Sequence, residues 1–102
     1  VISITTLKRF WEQYPAAEQP LKAWLDEVRK ASWQSPMEIK EMYRSASILK
    51  NSRVVFNIKG NDYRLVTSIF YAAGWVYIKF IGTHKDYDKI DANSVEMKEA
   101  AK

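Results

Sequence analysis

Eight residues between Arg53 and Asp88 carry groups that can do chemistry: Asn57, Lys59, Asn61, Arg64, Lys79, His84, Lys85 and Tyr87. They lie in or beside β-rich runs whose apolar residues a sheet alone would explain. The set suits cleavage of a phosphodiester in RNA. Such a substrate brings its own nucleophile, the 2′-OH. The protein must align that oxygen with phosphorus, accept its proton, stabilise charge on the phosphoryl oxygens and protonate the leaving 5′-oxygen. One arginine, one histidine, a tyrosine and some lysines suffice, without a metal ion or other cofactor.

Arg64 suits the phosphoryl oxygens, because its planar fork donates two parallel hydrogen bonds. His84 is the single histidine and suits proton transfer near neutral pH. Tyr87 can stack on a base or hydrogen-bond ribose or phosphate. Lys59 and Lys79 can hold phosphate, and Lys59 becomes a proton acceptor if its pKa is lowered. Asn57, Asn61 and Lys85 can position substrate. Each has a plainer use as well. Arg64 can sit in a surface ion pair, a lone histidine is often structural, and Tyr87 can close the end of a core. Strand lysines guard sheet edges against aggregation, and Asn61 tolerates the left-handed backbone of a turn.

The 102 residues are enough for one compact domain, and their 47% hydrophobic content can fill a core. Without cysteine there is neither disulfide nor thiolate catalysis, and one histidine makes a zinc site a poor expectation. The formal charge of +4 attracts nucleic acid, acidic partners or anionic surfaces, although a modest excess also serves solubility. No apolar run is long enough to cross a bilayer, and VISITTLKRF has no secretory-signal pattern. A cytoplasmic, non-membrane protein is the expectation. Phosphate loops, dinucleotide fingerprints, nucleophile elbows and HExxH patterns are missing from the sequence.

Helices come first in the elements that must hold the eight residues. Val1–Ser3 reads as a short edge strand, and Thr5 or Thr6 as a helix cap. Leu7, Phe10, Trp11 and Tyr14 make one helical stripe, which Pro15 ends. Leu21, Trp24, Leu25 and Val28 make another, in a helix over residues 17–31. Ser35-Pro36-Met37-Glu38 has the capping-box pattern, followed by Ile39, Met42, Tyr43 and Ala46 on one face. Residues 45–52 read as a loop.

Three strands follow. Val54, Phe56 and Ile58 face the helices in the first, while Asn57 and Lys59 face away. Gly60-Asn61-Asp62 turns the chain into a strand over residues 63–71, and Ala72-Ala73-Gly74 turns it again. In the third strand, residues 75–81, Val76, Ile78 and Phe80 share one face, and Trp75, Tyr77 and Lys79 the other. Short turns make the strands antiparallel. The order is α+β: N-terminal helices on a mainly antiparallel sheet. From Ala92 the chain reads as a polar tail or frayed helix.

The segments Phe56-Asn57, Gly60-Asn61, Tyr63-Arg64-Leu65 and Thr83-His84-Lys85-Asp86-Tyr87-Asp88 resemble the HigB toxin family of the RelE-like superfamily. The region they mark covers about a third of the chain, in the family's order and spacing. The resemblance implies a single RelE-like domain over residues 1–102. It implies a type II toxin–antitoxin mRNA interferase that cuts messenger RNA, usually on the translating ribosome. It also implies a cognate HigA-like helix-turn-helix antitoxin, with operator DNA reached only through that antitoxin.

Carried onto this chain, the strand arginine is Arg64, the phosphate stabiliser. The position after the last strand, often arginine or histidine, is His84, the general acid. The aromatic residue three positions later is Tyr87, and the basic residue on the preceding strand is Lys59. Some RelE-like toxins carry more lysine and arginine here, so the general base stays open among Lys59, Lys85 and His84. Two other readings compete: a ParE-like toxin acting on gyrase, and a non-catalytic RNA-binding module.

Overall fold

The computed structural model describes residues 4–31, 33–50, 52–60 and 62–95. The expected strand over Val1–Ser3 lies outside them, as does Asn61. Helix α1 spans Ile4–Gln13 and α2 spans Glu18–Lys30, joined by a 3-10 turn at Pro15–Ala17. Helix α3 is Pro36–Met42. Strands follow at β1 (Ser47–Ile48), β2 (Arg53–Ile58), β3 (Tyr63–Phe70) and β4 (Trp75–Thr83), and a one-turn helix α4 spans His84–Tyr87. The sheet order is β1-β2-β3-β4, antiparallel throughout. This is the expected α+β architecture.

The helical stripes pack as their spacing predicts, except at the end of the first, where Trp11 is half-buried and Tyr14 lies beyond α1 and is exposed. Leu7 and Phe10 of α1 and Leu21, Trp24, Leu25 and Val28 of α2 are buried with Val54, Phe56 and Ile58 of β2. Phe56 is the hub. The Trp24 and Tyr43 rings meet it edge-on at 5.4 and 5.1 Å, and Trp33 stacks at 6.1 Å. Pro20 falls in the first turn of α2, where its missing N–H breaks no helical bond. Gly74, with φ 71°, closes the β3–β4 turn, and its N–H donates to Phe70 O at 2.8 Å.

Four local expectations change. Thr5 and Thr6 lie inside α1 and cannot be its cap. Ser35 is the N-cap of α3 but makes no side-chain cap bond; Glu38 Oε1 accepts instead from the Gln34 N–H at 3.0 Å. Met42 is exposed, so the buried side of α3 rests on Ile39, with half-buried Tyr43 and buried Ala46 beyond it. The loop over residues 45–52 contains β1, where Ser47 pairs with Val55 and Ile48 with Val54.

A bulge in β4 decides which side chains face away from the helices. Val66 pairs with Phe80, whereas Thr67 pairs with Ile78, so Lys79 is an extra residue. Side chains alternate across a strand, so one extra residue exchanges the faces beyond it. Val76 and Ile78 face the helices as expected, but Phe80 does not. Ile81 takes the place on the helix side, and Phe80 turns to the opposite face with Val55 and Val66.

That opposite face has its own small core. Val55, Val66 and Ala92 are buried together, with Leu49, Phe80, Tyr87, Ile90 and Val95 packed around them. The chain after α4 thus folds back across the sheet as far as Val95. Arg53, only 7% exposed, holds it there. Its Nη1 donates to Ala92 O at 3.1 Å and Val95 O at 2.8 Å. Ala92 is therefore seated on the sheet, and the expected tail is docked as far as the described residues extend.

Candidate functional site

Strand pairing builds the site. Arg64 of β3 stands opposite Asn57 on β2 and Gly82 on β4, so the three share one row on the face away from α1 and α2. Arg64 is half-buried, and its Nη1 makes a long bond of 3.5 Å to Tyr63 O. Its Cζ lies 5.7 Å from the centroid of the Tyr87 ring, at cation–π distance. Tyr87 is itself half-buried in the small core of this face. Arg64 therefore has a ring beside it that restricts its fork.

His84 begins α4, two residues beyond the Arg64 row. Thr83 caps the helix, its Oγ1 accepting from the Asp86 N–H at 3.1 Å. The His84 N–H donates to Asp62 O in the β2–β3 turn at 3.0 Å. These bonds place the start of α4 against the end of the sheet where Arg64 stands. The imidazole is half exposed, with Nδ1 3.3 Å from Asp88 Oδ2. A carboxylate beside Nδ1 favours the proton on that nitrogen and leaves Nε2 for proton exchange.

Lys59 is not on a strand. β2 ends at Ile58, and Lys59 opens the turn with φ 53°, a left-handed conformation unfavourable for lysine. Its Nζ pairs with Asp62 Oδ2 at 3.0 Å. The hydrogen bond and charge of Asp62 push the Lys59 pKa up, the reverse of what a proton acceptor at neutral pH needs. Lys59 is held as a cation. Asp62 thus ties Lys59 by its side chain and His84 by its backbone, and brings both to one end of the sheet.

Lys85 is exposed on α4. Lys79 sits at the bulge, with Nζ 5.9 Å from the Tyr77 ring centroid. It is three residues along β4 from Gly82, about 10 Å, so it stands apart from the Arg64 row. The structure accordingly brings together Asn57, Arg64, His84, Lys59 and Tyr87.

Three contributors escaped the sequence reading. Asp62 fixes the turn, Arg53 holds the returning chain, and Gly82 gives Phe80 room. A Cβ at Gly82 would stand 2.6 Å from Phe80 Cζ, so the ring lies almost on the strand backbone beside Arg64. A glycine inside a strand is a visible sign of such close approach. Arg53 and Asp62 carry no comparable local sign.

Comparison with known proteins identifies the family. The family described as HigB toxin, RelE-like toxic component of a toxin–antitoxin system, matches residues 17–90. The mRNA interferase toxin HigB of Escherichia coli strain K12 is 31% identical over 90 residues, which span 86% of this chain and 86% of that protein. The mRNA interferase HigB of Shigella flexneri matches to the same extent. With nearly three-quarters of its length inside the family match, and with 31% identity to a curated member across 86% of both chains, the chain belongs to the HigB family of RelE-like toxins.

Proposed function

We propose that this toxin is an endoribonuclease that cleaves messenger RNA by attack of a 2′-OH on the adjacent phosphate, with no metal ion taking part. The observation that carries this reading is the placement of Arg64 against the Tyr87 ring, beside the helix that begins with His84. Arg64 binds the scissile phosphate and stabilises the charge that grows on its oxygens. Water accepts the 2′-OH proton, and His84, carrying protons on both ring nitrogens when it acts, donates the one on Nε2 to the leaving 5′-oxygen. Tyr87 braces Arg64 and offers a ring edge to the ribose or base. Lys59, kept charged by Asp62, adds positive field. Asn57 hydrogen-bonds the substrate from the same row, and Lys85 holds phosphate from α4.

The substrate is messenger RNA in the act of translation, in the cytoplasm, with the ribosome aligning the strand. A helix-turn-helix antitoxin of the HigA type neutralises the toxin, and operator DNA is reached only through that antitoxin. The same assignment treats residues 1–102 as one functional domain. No helix among the described residues is long and apolar enough to cross a membrane.

Expression of the unsubstituted chain, Arg64→Ala and His84→Ala, with 5′ ends mapped on cellular messenger RNA, tests the proposal. New cuts within translated regions are expected for the unsubstituted chain alone. Each variant should lose growth inhibition, by a factor of at least about 100 in cleavage, while still folding. Growth arrest without new cuts would instead indicate a target such as gyrase. Cutting that persists in both soluble variants would overturn the site.

A further inference from the structure

The face of the sheet that carries Arg64 extends well beyond the catalytic row. Phe70, Trp75 and Tyr77 are 54, 43 and 39% exposed. Phe70 pairs with Trp75 and Ser68 with Tyr77, so the three rings share the Arg64 face at the opposite end of the β3–β4 hairpin. Trp75 meets Phe70 and Tyr77 edge-on, each at 6.2 Å between centroids. The Lys79 ammonium lies beside the Tyr77 ring. The four strands carry Arg53, Arg64 and Lys79 and not one aspartate or glutamate.

We propose that Phe70, Trp75 and Tyr77, with Lys79, form a stacking platform for single-stranded RNA. Its rings lie from about 13 Å to about 20 Å along β3 from Arg64, by the rise of a strand, with Lys79 between them and Arg64. The inference rests on the endoribonuclease reading and deepens it, naming where the strand is held away from the cut. Contiguous exposed aromatics on a small protein mark a binding surface. Here the rim decides the occupant. A lysine next to a ring suits a base stacked on that ring with its phosphate on the ammonium. Strands without acid do not repel a polyanion. Stacking is tolerant of sequence, because every base has a π-face. The bulge at Lys79 completes the arrangement, since the extra residue places the ammonium between the platform and Phe80, on the way to the catalytic row.

The test measures binding of a fluorescent single-stranded RNA of about 12 nucleotides to the His84→Ala chain at low salt. The same measurement is repeated with Trp75→Ala, Trp75→Phe or Tyr77→Ala added, and with duplex RNA as a second probe. Circular dichroism confirms the fold of each variant, and sedimentation gives its oligomeric state. The platform predicts that Trp75→Ala and Tyr77→Ala each weaken single-strand binding about tenfold. Trp75→Phe retains most of it, and duplex RNA binds less well than single-stranded RNA. Equal binding by folded Trp75→Ala would overturn the platform and leave the endoribonuclease reading standing. A change of oligomeric state with unaltered RNA affinity would assign the surface to a second copy and overturn it too. Failure of the His84→Ala chain to bind RNA would remove the platform. Only if the unsubstituted chain also leaves cellular messenger RNA uncut would the functional reading fall with it.

Discussion

The two faces of the sheet are built on different terms. On one face, Val54, Phe56, Ile58, Leu65 and Ile69 lie under α1 and α2 with Trp24 and Trp33. That core needs only shape and hydrophobicity. The other face buries Val55, Val66 and Ala92 under a chain segment that returns from α4, held by one buried arginine. The first face gives the protein its stability. The second carries the row of Asn57, Arg64 and Gly82, with Tyr87 and His84 on α4 beside it. The proposed site sits on the face with the smaller core, where polar groups can reach solvent without opening the larger core.

Truncating the hub of the first face tests this contrast with the largest expected effect. Phe56→Ala removes a fully buried ring and the edge and stacking contacts of Trp24, Trp33 and Tyr43. A loss of about 3–5 kcal/mol is expected. That is a large share of the stability of a domain this small, so urea denaturation should show a much lower midpoint, with growth inhibition lost through unfolding.

Arg53→Met should separate the faces. Methionine keeps most of the apolar stem but removes the bonds to Ala92 and Val95 carbonyls, leaving both acceptors to water. A cost of about 1–3 kcal/mol is expected, concentrated in the returning segment. Hydrogen exchange should rise at residues 90–95 while the amides of β2 and β3 under the helices stay protected. RNA cleavage should fall because Tyr87 belongs to the same small core and sits beside Arg64. Uniform loss of protection across both faces would show that they are one cooperative unit and dissolve the distinction.

Legibility in the sequence follows the same division. The helical stripes and the Val54/Phe56/Ile58 face can be read because their periodicity is local and matches what they bury. Arg64, His84 and Tyr87 can be read as a group because their landmarks lie within one third of the chain. The bulge cannot. Phe80 and Ile81 are both large and apolar, so alternation through residues 76–81 fits either register, and only pairing with β3 decides which ring faces the site. β1, two residues long and exposed, has too little pattern to find. The Arg53 contacts join positions 39 and 42 residues apart, a separation that no local window contains. Lys59 is a subtler miss. Gly60 and Asn61 next to it are the residue types that a left-handed backbone favours, yet Lys59 itself adopts φ 53° and so leaves the strand.

The smallest predicted effect lies under the helices, at a polar contact that helps to close the first face. Tyr43 OH donates to the Glu27 carboxylate and so ties the end of α3 to α2. Burial, then the bond and charge of Glu27, push the Tyr43 pKa well above its ordinary value near 10. The sign follows from linkage. The folded state holds this proton to higher pH than the unfolded chain does, so Tyr43 favours folding fully below about pH 10, and that contribution declines as pH rises above it. Burial also raises Tyr71, which adds to the same alkaline loss. Tyr43→Phe removes the titrating hydroxyl while keeping the ring against Phe56. At neutral pH it should cost about 1 kcal/mol, the worth of one hydrogen bond to a charged group partly open to water. Above pH 10 the melting temperature of Tyr43→Phe should fall less steeply than that of the unsubstituted chain, with Tyr71 accounting for part of the remaining slope. Hydrogen exchange at residues 90–95 should be unchanged by it, because the returning segment lies across the sheet from this contact. A rise there would mean that a polar tie among the helices governs the site face, and that the two sides of the sheet are coupled through β2.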